Sequence, residues 1–398
     1  MSGEISRRRL LAGGALTALT VAAPPAWSWS PAGSVRGRGA GKDPRWVWDR
    51  EADKLVAALV ERGDVPRVNE LLRTWKTNAQ PLPDGLPRDL HAFIERARRL
   101  PKWADRDKLA AAVSFTEKRG TYTGLLYGLA SGMMSTGIPH EARAVYYSKG
   151  GANMKDRIAK TAKLGYDVGS PNAYDPDGEM IVTAVKTRLI HAAVRHLLPR
   201  SRGWTGGADQ KTPISQRDMM ITWHSLPTTV MAHLRAWNVP IDEAESDGFL
   251  HSWQVTGHML GIKDEYIPRT WKDANAQAKQ VLDPVTGPTP EGIELAEILL
   301  SLAAQIDGGA SRPFLGAMTR YLIGDKLADE LKIAPEPGWD EFVRNGWPAF
   351  VQFREVGLAV PLMPKGYWLF DEFLRQGVLF FLSDGKPISL EIPTGNRP

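Results

Sequence analysis

The sequence predicts one large all-α domain behind a short N-terminal leader, and three observations support this fold class. Apolar residues recur with the helical period from about residue 49 onward. No internal repeat is visible, and no tract rich in Pro, Gly or Ser is long enough to separate two domains. The chain has 398 residues, of which 43% are hydrophobic and 24% charged, a composition typical of a globular protein with a sizeable core.

Each helix is predicted from its apolar positions and from the residues that begin or end helices. Pro87 has the position of a first-turn proline, and the acids around Asp177 precede a long apolar run that stops at Pro199. Residues 123–132 are apolar nearly all round and rich in small side chains, which predicts a buried helix packed closely against a neighbour or a flat ligand. The predicted helices cover approximately residues 55–60, 68–75, 87–97, 105–122, 123–132, 154–164, 179–198, 213–236, 247–260, 291–306 and 314–331. The helical pattern over 338–353 is weaker, and residues 378–392 are predicted as a β-hairpin that turns at Ser383-Asp384-Gly385-Lys386.

The first residues have the pattern of an export signal. The run Arg7-Arg8-Arg9 precedes an apolar stretch, residues 10–23, and small residues that a signal peptidase could cut follow it. The stretch is shorter than the roughly 20 residues that cross a bilayer, although a retained membrane anchor is the alternative. We therefore predict a Tat signal peptide over residues 1–26, a flexible lead-in over 27–50 and one domain over 51–398. The signal predicts passage through the Tat translocon to a secreted protein without stable membrane association.

Composition excludes several classes of function. The absence of cysteine excludes disulfides, thiolate catalysis, and zinc or iron–sulfur sites with Cys ligands. The formal net charge is +5, and Glu4 with Arg7, Arg8 and Arg9 accounts for +2 of it, which leaves +3 for the remainder. So small a surplus predicts that nucleic acid is not a partner. No nucleophile elbow, phosphate-binding loop or dinucleotide fingerprint supports a hydrolase or a nucleotide-dependent enzyme.

A histidine between two arginines is the first candidate site. In a helix over 179–198, Arg188, His191 and Arg195 have the spacing i, i+3 and i+7 and share one face. His196 lies five residues after His191, about 140° around the helix, so the two cannot easily share a metal. One imidazole flanked by guanidinium groups suits a haem, whose iron takes the imidazole and whose propionates take the arginines. The alternative is a buried histidine satisfied by its neighbours, with both arginines in structural ion pairs.

A second cluster lies upstream of this helix. Arg157, Lys160 and Thr161 have the spacing i, i+3 and i+4 and therefore also share a face. A charged run of this kind is commonly a solvated helix face, which is the alternative here. Glu141 follows Pro139-His140, where a carboxylate ordinarily favours the positive end of a helix dipole. The other histidines, such as His224, can be buried and satisfied.

Taken together, these segments resemble those of the latex clearing protein family, which are secreted bacterial rubber oxygenases. The segment Arg188-Leu189-Ile190-His191-Ala192-Ala193-Val194-Arg195 is similar to the haem-ligand helix of that family. The resemblance extends to Glu141 in His140-Glu141-Ala142-Arg143, to Arg157-Ile158-Ala159-Lys160-Thr161, and to the twin-arginine signal. Several motifs in the right order are more specific than any one of them alone.

The resemblance implies a haem b in a globin-like helical core with additional helices around it. By this match, His191 is the proximal iron ligand, and Lys160 is a distal lysine that ligates the iron in a closed state. Glu141 matches the proposed general base. The remaining matches are Arg157 and Thr161 on the distal side, and Arg188 and Arg195, which help to hold the haem.

The activity that the resemblance implies is oxidative cleavage of the double bonds of cis-1,4-polyisoprene. Dioxygen is the co-substrate, and the products are oligo-isoprenoids with one aldehyde end and one ketone end. The expected partner is the polymer, and the expected form is a monomer. Two alternatives stay open: a related haem oxygenase that acts on a smaller lipid, and a secreted haem carrier or sensor.

Overall fold

The computed structural model describes residues 26–205, 210–282, 287–358, 360 and 362–397, and these form helices joined by loops. The Tat signal predicted for residues 1–26 lies outside the described residues, except for Ala26. The described α-helices are α1 (Arg50–Glu61), α2 (Val65–Arg73), α3 (Arg88–Ala97), α4 (Arg106–Leu125), α5 (Met133–Thr136), α6 (Pro139–Tyr147), α7 (Met154–Asp167), α8 (Met180–Leu197), α9 (Arg202–Thr205), α10 (Gln216–Trp223), α11 (Thr229–Ala236), α12 (Glu243–Met259), α13 (Trp271–Val281), α14 (Pro290–Ala304), α15 (Arg312–Ile323), α16 (Asp325–Glu330), α17 (Pro337–Leu358) and α18 (Met363–Leu382). Extended backbone pairs only at two isolated bridges within these ranges, so the all-α class is confirmed.

The centre of the fold is the crossing of α4 with α12. From Gly248 onward nearly the whole of α12 is buried, and its side chains interdigitate with those of α4. Gly248 lies at the crossing, where a Cβ atom would come within 2.7 Å of the Lys108 carbonyl oxygen and the Ala112 nitrogen. Phe115 and Phe249 stack next to it with ring centroids 4.3 Å apart. The glycine therefore allows the two backbones to approach as closely as they do.

Two π-helical segments interrupt the α-helices in this region. The first, Leu126–Gly132, continues α4, and the second, His224–Thr228, joins α10 to α11. The second contains Pro227, which lacks the N–H that an α-helix would use. The two segments contact each other, and the Ser131 hydroxyl donates a hydrogen bond to the Ser225 carbonyl. The prediction of a buried helix over 123–132 is confirmed, with π rather than α geometry after Leu125.

The prediction of a C-terminal β-hairpin over 378–392 is wrong, because residues 363–382 form α18. Apolar residues recur there at helical spacing, and the turn residues after Leu382 end the helix instead of joining two strands. The last residues then reach α2. Asn69 holds them there, since its side chain accepts from the Ile392 nitrogen at 2.9 Å and donates to the Ile392 carbonyl at 3.0 Å.

Residues 27–49, which belong to the predicted flexible lead-in, pack on the body of the protein instead. Trp29 is buried, and its backbone nitrogen donates to the Gln280 side chain at 3.1 Å. The Val35 nitrogen donates to the Ile267 carbonyl at 2.9 Å. The sequence pattern missed this because isolated apolar residues without periodicity can still bury themselves against helices. In the described part of the chain, no helix is long and apolar enough to cross a membrane.

Candidate functional site

His191 lies on α8, with Arg188 one turn before it and Arg195 one turn after it. Its Nδ1 atom is buried and has no hydrogen-bond partner among the described residues. Burial, followed by the positive charges of Arg195 and Arg157, lowers the pKa of His191 to about 3. The imidazole is therefore neutral at pH 7 and keeps the lone pair with which histidine binds a metal.

Other buried histidines have satisfied rings. The two ring nitrogens of His224 lie 2.9 Å from the Thr228 hydroxyl and 2.8 Å from the Gln277 amide oxygen. Both ring nitrogens of His251 are hydrogen-bonded as well. His224 and His251 are therefore buried histidines whose hydrogen bonds are satisfied by their neighbours. His191 differs from them, because it keeps a buried nitrogen without a partner in the described chain. No group of three or more His, Asp and Glu side chains among the described residues could hold a metal ion.

The two arginines of α8 bind carboxylates at the start of α1. Arg188 makes two hydrogen bonds to Asp49, at 2.5 and 3.1 Å, and Arg195 donates to Asp53 at 2.5 Å. Burial alone would raise the pKa of Asp49, but Arg188 outweighs it and the pKa is lowered. The structural ion pairs that the sequence left as an alternative are thus present. Arg195 nevertheless keeps its Nη2 atom buried and without a partner in the described chain, so one charge-bearing donor remains for a ligand.

Glu141 lies in the first turn of α6, which begins with Pro139. Its Oε1 accepts a hydrogen bond of 2.7 Å from the Thr222 hydroxyl of α10, which also lies 3.2 Å from the Asp218 carbonyl. Burial raises the pKa of Glu141 to about 8, although the Thr222 hydrogen bond lowers it. A carboxyl group with such a pKa can exchange a proton near neutral pH, which is what a general acid or base requires.

The face of α7 supplies three further side chains. The positive charge of Arg157 lowers the pKa of both Glu141 and His191. Burial lowers the pKa of Arg157, and the guanidinium forms no salt bridge in the described part of the chain. Lys160 pairs with Asp156 at 2.7 Å, and the exposed Thr161 hydroxyl donates to the Arg157 carbonyl at 3.1 Å.

Of the predicted site residues, Arg157 on α7 therefore interacts electrostatically with both Glu141 on α6 and His191 on α8. The structure ties Arg188 and Arg195 to α1, and it ties Lys160 to its own helix. Sequence reasoning missed the partners of these residues. Those partners are Thr222, Asp49, Asp53 and Asp156. No pattern in the sequence linked Asp49 and Asp53 to the two arginines, because these partners lie 139 and 142 positions apart along the chain.

Comparisons with known proteins show which family the chain belongs to. Residues 118–353 match the family model described as "ER-bound oxygenase mpaB/B'/Rubber oxygenase, catalytic domain". A "Rubber oxygenase" from Streptomyces sp. (strain K30) is 53% identical over 407 residues, which cover 100% of both chains. A solved structure described as "Structure of Latex Clearing Protein LCP in the closed state" superposes with a TM-score of 0.84 at 54% identity, covering 93% of this chain and 100% of that one. The chain therefore belongs to the rubber oxygenase family, whose solved relatives include a latex clearing protein.

Proposed function

We propose that this protein is a secreted haem b oxygenase that cleaves the double bonds of cis-1,4-polyisoprene with dioxygen. The full-length similarity to a rubber oxygenase supports the reaction and the substrate class. In this reaction one C=C bond breaks and each carbon receives one oxygen atom of O2, which gives one aldehyde and one ketone. The reaction needs no other oxygen source.

The observation that carries the cofactor assignment is a pair of buried polar atoms without partners on one face of α8. These are Nδ1 of His191 and Nη2 of Arg195. Buried polar groups are nearly always hydrogen-bonded, so two orphans on one helix face indicate a ligand that binds both. A haem fits, because its iron takes a neutral imidazole and its propionates take a guanidinium donor. When bound, haem would supply the redox-active iron at which dioxygen reacts.

The chain contributes a base to this chemistry through Glu141. Glu141 would take an allylic proton from the polymer and return it to the product, because the cleavage has no net change in protons, and a carboxyl group with a pKa of about 8 can hold that proton in between. Thr222 fixes one carboxylate oxygen by its hydrogen bond, so Oε2 is the atom assigned to the proton. The Arg157 charge favours the ionised carboxylate before the transfer.

Lys160 and Thr161 complete the proposed distal side. The proposed role of Lys160 as a second iron ligand requires its Nζ to leave Asp156, because one ammonium cannot keep that ion pair and bind iron as a neutral amine. The Lys160–Asp156 pair is therefore assigned to the state in which the lysine is away from the iron. Thr161 is exposed, and we assign it to the lining of the polymer's approach.

An absorption spectrum with a pyridine haemochrome assay tests the cofactor. Purified protein should show b-type bands at about one haem per chain. His191→Ala should lose the haem, whereas His196→Ala, on the same helix five residues later, should keep it. A His191→Ala protein that retains its full complement of haem would refute the ligand assignment.

Product analysis tests the reaction and separates the alternatives. With polyisoprene as substrate, the wild type should release oligomers with one aldehyde and one ketone end. Glu141→Gln should keep the haem spectrum but slow cleavage by about two orders of magnitude, the usual contribution of a general base. Glu117→Gln, at an exposed position of α4, serves as the matched control and should be fully active. Cleavage of a smaller lipid alone would favour the related oxygenase, and ready transfer of haem to apo-myoglobin would favour a carrier.

Export is also part of the proposal, because the polymer is insoluble and cannot enter a cell. Replacement of Arg7, Arg8 and Arg9 by lysine should keep the protein inside the producing cell. Full secretion of that variant would exclude the Tat route.

A further inference from the structure

From residue 345 on, the two C-terminal helices, α17 and α18, expose almost none of their charged side chains. Between residues 345 and 382, the described residues include a single exposed charged side chain, that of Lys365. Arg354 and Asp371 form a 2.6 Å ion pair in which neither side chain is more than 8% exposed. The backbone nitrogen of Thr121 in α4 donates to the same Asp371 carboxylate at 2.9 Å. This arrangement is the reverse of a helix that faces water, which points its charges outward.

The outward sides of both helices are apolar and aromatic. Each helix exposes one stripe at helical spacing, and we call these two the outer stripes. Exposure is at least 70% at Phe353, Val356, Phe373 and Phe380. Apolar patches larger than a few hundred Å² are rare on soluble proteins and mark interaction surfaces. The outer stripes consist mainly of Phe350, Phe353 and Val356 on α17, and of Phe370, Phe373 and Phe380 on α18.

The outer stripes are close to the candidate site, because α18 packs against α7 and α4. The Lys155 ammonium of α7 lies 4.4 Å from the centre of the Phe381 ring, and the Arg375 guanidinium lies 5.8 Å from the centre of the Tyr166 ring. The helix α7 also carries Arg157, Lys160 and Thr161. The side chains assigned to the distal side therefore lie on α7, the helix that packs directly against α18.

We propose that the outer stripes are the face by which the protein docks on the hydrocarbon surface of polyisoprene particles. The identity of this hydrocarbon rests on the proposed function. A solid polymer of isoprene offers neither charges nor hydrogen-bond partners, so a surface that binds it must be apolar and nearly free of charge, as the stripes are. Docking there concentrates polymer chains beside α7, where they are cleaved.

A second copy of the chain is the competing occupant, and the chemistry of the stripes disfavours it. Interfaces between proteins carry about one hydrogen bond per 100–200 Å² and a polar rim. The exposed side chains of the stripes are almost all hydrocarbon and can supply few such bonds. An apolar surface with few hydrogen-bonding groups is therefore better suited to bind a hydrocarbon than to bind another folded chain.

Adsorption to synthetic polyisoprene latex, measured by flotation without oxygen and with excess albumin, tests the proposal. The double variant Phe353→Ser, Phe373→Ser removes one aromatic side chain from each stripe. Burial of a Phe side chain contributes about one to two orders of magnitude in partition, so the adsorbed-to-free ratio should fall at least tenfold. Trp46→Ser, at a side chain 58% exposed outside the stripes, is the control and should adsorb like the wild type.

Three further measurements separate the possible outcomes. The double variant should keep the wild-type kcat on a short cis-isoprenoid dispersed in detergent, while its apparent KM for latex rises. Light scattering should show a monomeric wild type at the assay concentration. Unchanged adsorption of the double variant, or a wild-type dimer that the double variant converts to a monomer, would overturn the proposal. Because adsorption is measured without turnover, a protein that docks but does not cleave polyisoprene would refute the proposed function and leave the docking face standing.

Discussion

The hydroxyl of Thr222 should set the pH at which Glu141 works. It donates a 2.7 Å hydrogen bond to Oε1 of Glu141, and this bond favours the ionised carboxylate. Thr222→Val keeps the shape of the side chain and removes the donor. The pKa of Glu141 should therefore rise above its present value of about 8.

The size of this shift follows from the strength of the bond. A hydrogen bond to a charged group contributes about 1.5–3 kcal/mol, and about 1.4 kcal/mol corresponds to one pKa unit, so the shift should be about one to two units. A base acts in its ionised form, so activity rises with pH through the pKa. At pH 7, which is below the pKa, each unit by which the pKa of Glu141 rises lowers its ionised fraction about tenfold. The value of kcat/KM falls by the same factor.

Two assays check this prediction. The pH profile of kcat/KM, followed by oxygen uptake from about pH 6 to 10, should move to higher pH in Thr222→Val. Thr222→Ser keeps the hydroxyl and should retain the wild-type profile. Infrared difference spectra against Glu141→Gln report the carboxyl group directly and do not depend on turnover. Equal midpoints for the Val and Ser variants would refute the reasoning.

Further predictions concern the ion pairs and the helix crossing. Arg188→Ala leaves the carboxylate of Asp49 buried without its partner and should lower the free energy of unfolding by about 3–5 kcal/mol in urea titrations. Because the pKa of Asp49 is lowered, its ionised form stabilises the fold above pH 3.8, and this contribution is lost as the pH falls through the lower folded-state value. Thermal unfolding at a series of acidic pH values should show this loss in the wild type but not in Arg188→Ala. Asp371→Asn should cost a similar amount and expose α18 to limited proteolysis, and a resistant variant would contradict the anchoring role of that carboxylate. Gly248→Ala should cost about 1–3 kcal/mol from overpacking, whereas Gly366→Ala, whose Cβ meets no atom within 4 Å, should not destabilise the protein.

The sequence predicted most helices because their burial follows a regular period. The long apolar run of α8 and its end near Pro199 are examples, and so is the face shared by Arg188, His191 and Arg195. The break of the predicted 314–331 helix at Gly324 was not anticipated, although its φ of 84° suits a glycine. The helix α13 was also missed, because its alternation of charged, amide and Ala residues gives little apolar period.

The sequence could not predict which partners the site residues choose. No pattern in the sequence links Thr222 to Glu141, because 81 positions separate them and only the folded chain brings the two side chains together. The sequence pattern also could not predict the structure of the C-terminal helices. Apolar and aromatic residues over 378–392 satisfy a strand pattern as well as a helix pattern, and the inward direction of Asp371 depends on its arginine partner and on α4.

The two π-helical segments determine whether this part of the fold tolerates substitutions, insertions or deletions. A π turn holds one residue more than an α turn, so every residue after it is rotated by about 100° from the position that an uninterrupted α-helix would give it. Ser131 in the first segment donates its hydrogen bond to the Ser225 carbonyl of the second from within such a turn. Substitutions there change single contacts, whereas the loss of one residue would rewind the turn and redirect all the side chains that follow. The number of residues in each π turn therefore fixes the direction of the side chains that follow it. Insertions and deletions change that number, so they disrupt this part of the fold more than substitutions do.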